Sequence, residues 1–469
     1  MIRSRHPLAA ALALAAAFVL RPPAAGAQES PVVIRGGHYF DVHRSEMVPN
    51  HGITVLNGKI LAIDGAPGAP LPAGARVLEV GDGEYILPGL VDVHAHYNVN
   101  LDGSGRRDET VVNPVVYLAN GVTATFPAGE YDPDRMLELR RQIDRGERIG
   151  PRIFGSGPYF GTARPGWNQQ MTAQQIYDEV DYWAERGVTG FKAKGIGPEH
   201  LRHLIARAHH HGLTVTGHFD SGYRNTTNAI DAIQMGVDRV EHILGGRALS
   251  PDSAAYPLWV KVDVESPEFR EIVDLFLKHR VYFDPTITAP VYLSDWTSRE
   301  GFDYWIDERK FFTPEVQERV RARGPRRASP LMDELYWTMR RTTKAFYDAG
   351  GGDLLTLGTD NPSRGEFLPG FSAHRELHTL VLAGIPPAAA LRIGTINGAR
   401  ALKVGDRIGS IEVGKFADLF VVAGNPLDDI RNTRNVRWVM KAGQIYDPAE
   451  LLRSVEGKLG PPPPRTAAR

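Results

Sequence analysis

Residues 85–96 read YILPGLVDVHAH, an apolar run behind a Leu-Pro-Gly turn that ends on two histidines, His94 and His96. Side chains on a strand alternate between faces, so the two imidazoles point the same way. The pattern recurs along the chain. Lys192 closes GVTGFK, His218 closes LTVTGH, His242 closes VDRVEH and Asp360 closes LLTLGTD. Each donor stands at the C-terminal end of a short strand-like segment, the end at which an eight-stranded α/β barrel keeps its active site.

Working outward from that run, eight candidate strands can be counted: LVDVHAH, GVTATFPA, PRIFGSGPYF, GVTGFKAK, LTVTGHF, VDRVEHI, VYFDPTI and DLLTLGTD. Helical patterns such as DPDRMLELRRQIDRG, AQQIYDEVDYWAERG and PEHLRHLIARAHHHG lie between them, each ending on glycine, which suits a helix C-terminus. Alternation of this kind predicts a parallel sheet, and eight units predict closure. The expected fold class is α/β: a TIM-like (β/α)8 barrel over residues 86–402. Short strand patterns before it (VVIRGGHYF, GITVLNGKILAI, ARVLEV) and after it (GSIEVGKFADLFVVAG, VRWVMKAGQIY) have too few strands to bury a core alone. They are expected to pair into one composite β-sandwich from residues 28–85 and 403–450. Two irregular insertions, 245–267 and 290–330, begin on the rim and are candidate substrate walls or a lid. The Pro-rich end, 451–469, is expected to be a disordered tail.

Composition narrows the function classes. Lys and Arg number 54 against 55 Asp and Glu, a balance that argues against a nucleic-acid footprint. The first residues read as a signal peptide over 1–27: Arg3 and Arg5, the apolar stretch 8–20, then Ala25-Gly26-Ala27 with Gln28 as the mature start. An uncut anchor is the alternative. The protein is therefore expected to be exported, to the periplasm or beyond the cell, and free of the membrane once the leader is removed. There are no cysteines, so any metal must be held by histidine, carboxylate or a modified lysine.

Other residues are candidates for the same site. Lys194 shares the strand parity of Lys192 and is a candidate substrate contact. Tyr223 and Arg224, in the loop FDSGYRN after His218, are candidates to hold a substrate carboxylate, which arginine grips in bidentate fashion. Glu241 precedes His242, so strand alternation puts it on the opposite face, as a structural partner for a helix. His209, His210 and His211 occupy a helix's last turn, where adjacent residues share no face.

The segments YILPGLVDVHAH, GVTGFK, VEH and GTDNP, with the closing IGTINGARALKVGDRIGSIEVGKFADLFVVAGNPL, resemble the amidohydrolase superfamily, most nearly its imidazolonepropionase-like and prolidase-like branch. The resemblance covers nearly all of the expected mature chain. It implies a binuclear centre: His94 and His96 on the more buried ion, His218 and His242 on the second, and Lys192 carboxylated by CO2 to bridge them. Asp360 would touch the buried ion and act as general base. The electrostatics agree, because two divalent ions bring about +4 and an unmodified ammonium beside them would be repelled. The alternative for Lys192 is a salt bridge to an acidic neighbour. Zn2+ suits N/O ligation, and Mn2+, Co2+ or Fe2+ are compatible with it.

The expected activity is hydrolysis of amide or peptide C–N bonds in small substrates, of dipeptide or N-acyl amino acid type, by metal-activated hydroxide with Asp360 as base. A cyclic amide, lactone or ester hydrolase would use the same cage. Mononuclear deaminases of this superfamily carry a Glu three residues past the strand-five histidine and lack the strand-four lysine; here Ser221 holds the first position and Lys192 is present. A non-catalytic exported binding protein would have lost ligands, and all six positions are filled. The expected partner is a small-molecule substrate; association into a homo-oligomer is left open.

Overall fold

The computed structural model describes residues 30–64, 66, 68, 70–100, 107–293, 305–324, 328–362 and 367–460. The leader read at 1–27, part of the 290–330 insertion and residues 461–469 fall outside these.

The chain opens with β1 (Val32–Arg35), β2 (His38–Asp41), β3 (Glu46–Pro49), β4 (Ile53–Leu56), β5 (Lys59–Ile63), β6 (Arg76–Glu79) and β7 (Glu84–Pro88). It continues through β8 (Leu90–Ala95), a small hairpin of β9 (Asn98–Val99) and β10 (Arg107–Asp108), β11 (Val122–Pro127), β12 (Arg152–Ile153) and β13 (Tyr159–Phe160). Then come β14 (Gly190–Lys194), β15 (Thr214–His218), β16 (Arg239–Glu241) and β17 (Tyr282–Asp284). The last strands are β18 (Leu419–Ala423), β19 (Val436–Lys441) and β20 (Gln444–Tyr446).

Strands from both chain ends share a six-stranded sheet in the order β20-β19-β18-β7-β2-β3, beside a four-stranded sheet β5-β4-β1-β6. Ile34, Ile53 and Val55 of the smaller sheet and Ile86, Leu419, Val421 and Met440 of the larger are buried in one cluster. Alternation along LFVVA explains why the run is apolar throughout: Leu419 and Val421 enter that cluster, while Phe420 and Val422 enter the main core.

Between these ends lie two parallel sheets, β12-β11-β8 and β13-β14-β15-β16-β17. Backbone bonds join them on both sides. Glu130 N donates to Gly157 O (3.2 Å) and Thr189 N to Gly155 O (2.8 Å), so residues 152–160 link β11 to β14. Phe283 N donates to Leu354 O (2.8 Å) and Val93 N to Leu357 O (2.9 Å), so residues 354–360 link β17 to β8. Two expected strands are thus less regular than their sequences suggest. PRIFGSGPYF is cut into β12 and β13 across Gly155-Ser156-Gly157, with Gly157 at φ +62°. DLLTLGTD is bonded on both flanks but forms no continuous ladder.

The connecting helices end where their glycines predict, at Pro133–Asp144, Ala173–Glu185 and Pro198–His210. Thr172 opens the second with a reciprocal cap, its hydroxyl accepting from Gln175 N while Gln175 returns a bond to Thr172 N. The expected disorder of 451–469 is corrected over residues 451–460. Asp447 caps a helix at Pro448–Val455, and Leu451, Val455 and Leu459, spaced four apart, are buried in the main core. Leu451 and Val455, one helical turn apart, place an apolar stripe of the helix on the domain, and Leu459 beyond it pairs with Phe312.

Candidate metal centre

All six expected donors, His94, His96, Lys192, His218, His242 and Asp360, meet around one cavity of about 120 Å³. The imidazoles form a continuous arc: ring centroids lie 5.4 Å apart for His94 and His96, 4.9 Å for His94 and His242, and 4.5 Å for His218 and His242. Donor atoms of His94, His242 and Asp360 all fall within 4.8 Å of one another.

The local backbone explains how each side chain arrives. The buried Asp92 carboxylate accepts from His94 N (3.0 Å), Thr359 N (3.2 Å) and the Thr359 hydroxyl (2.7 Å), tying β8 to the segment that carries Asp360. Asp360 N donates to His94 O (3.0 Å), and the Tyr117 hydroxyl accepts from His96 N (3.1 Å). His96 Nε2 stands 2.7 Å from Asp360 Oδ1 and His94 Nε2 3.5 Å from the same oxygen. Three residues at successive strand ends adopt left-handed backbone: His242 (φ +68°), Thr286 (φ +44°) and Asp360 (φ +48°).

That backbone corrects the reading of Glu241. Alternation does separate Glu241 from Val240, but Glu241 lies on the interior side, fully buried, and it contacts Lys192 Nζ. Its carboxylate also accepts from the Thr216 hydroxyl (2.9 Å) and approaches His94 Nδ1 at 3.7 Å. Both Glu241 and His242 face the site because the left-handed turn at His242 breaks the alternation at the strand's last step. The acidic neighbour considered for Lys192 is therefore present, and it comes from strand six.

Burial lowers the imidazoles. His94 and His218 are held well below the ordinary histidine value, and His242 falls to about 3, chiefly by desolvation. Neutral imidazole is the ligating form. Burial and the neighbouring Lys194 ammonium pull the Lys192 amine well below the usual lysine value. Burial opposes ionisation of Asp360, but the His96 hydrogen bond and nearby imidazoles outweigh it, and its carboxyl stays well below the carboxylate range. His218 Nδ1 is buried with no hydrogen-bond partner, an arrangement that costs free energy unless something binds there. Neutral nitrogens, an ionised carboxylate and an unpartnered buried imidazole nitrogen fit a divalent cation held by N and O donors.

One wall comes from the 245–267 insertion and another from the helix that follows the 290–330 insertion. Tyr256, from the helix Ala255–Trp259, packs against His218 (5.7 Å between centroids), and Met332, Leu335 and Met339 present one face of the helix Pro330–Asp348 to the cavity. Lys194 lines the cavity with Tyr159. Tyr223 and Arg224 do not: the Arg224 guanidinium lies over the Tyr223 ring, 4.9 Å from its centroid, in a short 3-10 turn with left-handed backbone. His209 and His211 bond Asp238 (2.9 Å) and Asp181 (2.7 Å) on the outer surface.

Sequence reasoning passed over Asp284 and Thr286. The DPT of VYFDPTI carried no histidine and no familiar spacing. Its signal was an aspartate at a strand's C-terminal end, the position used to find Asp360.

The profile of the Amidohydrolase family matches residues 85–446. Among curated proteins, the adenine deaminase of Paracoccus denitrificans is 36% identical over 217 residues, covering 42% of this chain and 33% of the deaminase. The chain thus matches about a third of that relative's length. Among solved structures, a Xaa-Pro dipeptidase with methionine bound in its active site superposes with a TM-score of 0.66 at 22% identity, covering 89% of this chain and all of the dipeptidase. Molinate hydrolase gives 0.65 at 20% identity, covering 94% of this chain and 99% of the hydrolase.

Proposed function

We propose, since the chain belongs to the amidohydrolase family, that it is a metal-dependent hydrolase of small amides, of dipeptide or N-acyl amino acid type. The observation that carries this reading is the convergence of four histidines, Lys192 and Asp360 on one cavity. His94, His96, His218, His242 and Asp360 would hold two divalent cations, with Zn2+ the best match to the donors. Lys192 would take part as a carbamate, formed from CO2 and its amine with loss of a proton, and burial favours the neutral amine that this needs.

Bound cations would polarise the scissile carbonyl and bring the pKa of water down towards ~7. The chain's own groups do the rest. Asp360 is ionised and can take a proton from water as the C–O bond forms. The same carboxyl returns that proton to the nitrogen as the C–N bond breaks, so one water is consumed per amide. Met332, Leu335 and Met339 close one side with apolar surface and limit bulk water at the reacting atoms.

We read the two parallel sheets as arcs of a (β/α)8 barrel, with residues 354–360 as its eighth member, and the sheets built from both chain ends as a composite sandwich. The export read from the first residues belongs to the same proposal, as an enzyme that scavenges small amides outside the cytoplasm.

A second reading, deamination of an aminopurine, is favoured by the 36% identity to an adenine deaminase. One panel separates them: metal-replete enzyme offered N-acyl amino acids, dipeptides, cyclic amides, lactones and adenine. Turnover of the first two classes is expected. Ammonia release from adenine with no amide cleavage would replace the first reading by the second.

A further inference from the structure

β17 and the residue pair beyond it supply no expected metal ligand, yet they reach two of them. His94 Nδ1 stands 2.9 Å from Asp284 Oδ2. His242 Nδ1 stands 2.6 Å from the Thr286 hydroxyl. Both partners are fully buried. On the other edge of its ring, His94 Nε2 stands 3.5 Å from Asp360 Oδ1, and His94, His242 and Asp360 all line the cavity.

We infer that Asp284 and Thr286 are positioning residues that fix the tautomers of His94 and His242, each accepting the Nδ1–H so that both Nε2 lone pairs face the cavity. The inference rests on the metal-dependent reading above. A neutral imidazole carries one ring proton, and a ring that binds a cation through Nε2 must carry it on Nδ1. The structure puts an oxygen at hydrogen-bond distance on that nitrogen in both rings.

The arrangement is built rather than incidental. Thr286 is β-branched and sits at φ +44°, a backbone such residues rarely adopt. Glu376 holds it there: one carboxylate oxygen accepts from Ile287 N (2.7 Å), the other from Thr288 N (2.8 Å) and the Thr288 hydroxyl (2.7 Å). Asp284 occupies space left by Gly358, where any Cβ would strike its carboxylate. Strand seven thus acts through strands one and six, and Thr286 also lines the cavity.

The tautomers can be read without metal. In the metal-free protein, 15N-labelled histidine spectra should show His94 and His242 protonated on Nδ1. Thr286→Val, which keeps the shape and removes the acceptor, should move His242 towards the Nε2–H form; Thr286→Ser should restore the wild-type signal. With metal, competition against a chromophoric chelator should show Zn2+ held about 10- to 100-fold more weakly in Thr286→Val and in Asp284→Ala, with Thr286→Ser near wild type. The Co2+-substituted visible spectrum should shift in the two weakened variants. An Nε2–H tautomer at both rings of the wild-type protein overturns the inference, as does unchanged Zn2+ retention in folded Thr286→Val. Failure to cleave any amide, with these signals as expected, would count against the substrate reading alone.

Discussion

The chemistry of single residues turns on where each proton sits. Among the described residues, Asp360 is the carboxylate that both lines the cavity and meets two of the histidines, so Asp360→Asn should retain metal while kcat falls about 10²- to 10⁴-fold. Metal content by atomic emission alongside steady-state turnover checks it, and full activity in that variant would end its assignment as base. Gly358 gives a second test at this scale. Gly358→Ala should push the Asp284 carboxylate aside and destabilise the fold by about 1–3 kcal/mol, read from urea unfolding, because the neighbour is buried and cannot move away freely. At this scale the six residues that converge on the cavity were legible from sequence, since strand ends and donor chemistry pick them out. Glu241, Asp284 and Thr286 were not. Their roles depend on left-handed backbone at His242 and Thr286, and strand alternation cannot foresee a break at its own last step.

Elements obey local rules more faithfully than the site does. The helices at 133–144, 173–185 and 198–210 follow from their apolar spacing, caps and terminal glycines. Removing the Thr172 cap with Thr172→Ala should cost about 1 kcal/mol in urea unfolding and leave KM unchanged, because that helix end lies on the surface away from the cavity. The helix Pro330–Asp348 is different. Its residues 332, 335 and 339 recur at helical spacing, which marks an apolar face but not what the face meets. Placed against the cavity, that face becomes a wall. Leu335→Asp should therefore raise KM for substrates with apolar side chains by about tenfold or more, while a small polar amide is less affected; equal effects on both would argue against a wall.

The whole molecule carries the cost of holding so many ionisable groups out of water. Glu376 is the clearest case. Burial pushes its carboxyl up to about 7 from an ordinary 4.5, despite three bonds from residues 287 and 288. A folded value above the unfolded one means that protonation favours the fold. That contribution is complete below about 4.5 and is lost as pH rises through about 7, to a limit of about 3 kcal/mol. Urea midpoints measured from pH 4.5 to 8 should fall less steeply in Glu376→Gln than in the wild type; identical slopes would exclude this group as the source. By itself the sequence determined the alternation of strands and helices, the donors at the strand ends and the pairing potential of the two β-rich ends, because periodicity and donor chemistry are local properties. Only the tertiary structure decided that Glu241 faces Lys192, and that Asp284 and Thr286 of strand seven meet the imidazoles of His94 and His242. Those outcomes depend on backbone turns and close approaches between segments far apart in the chain, and no window of sequence contains both partners.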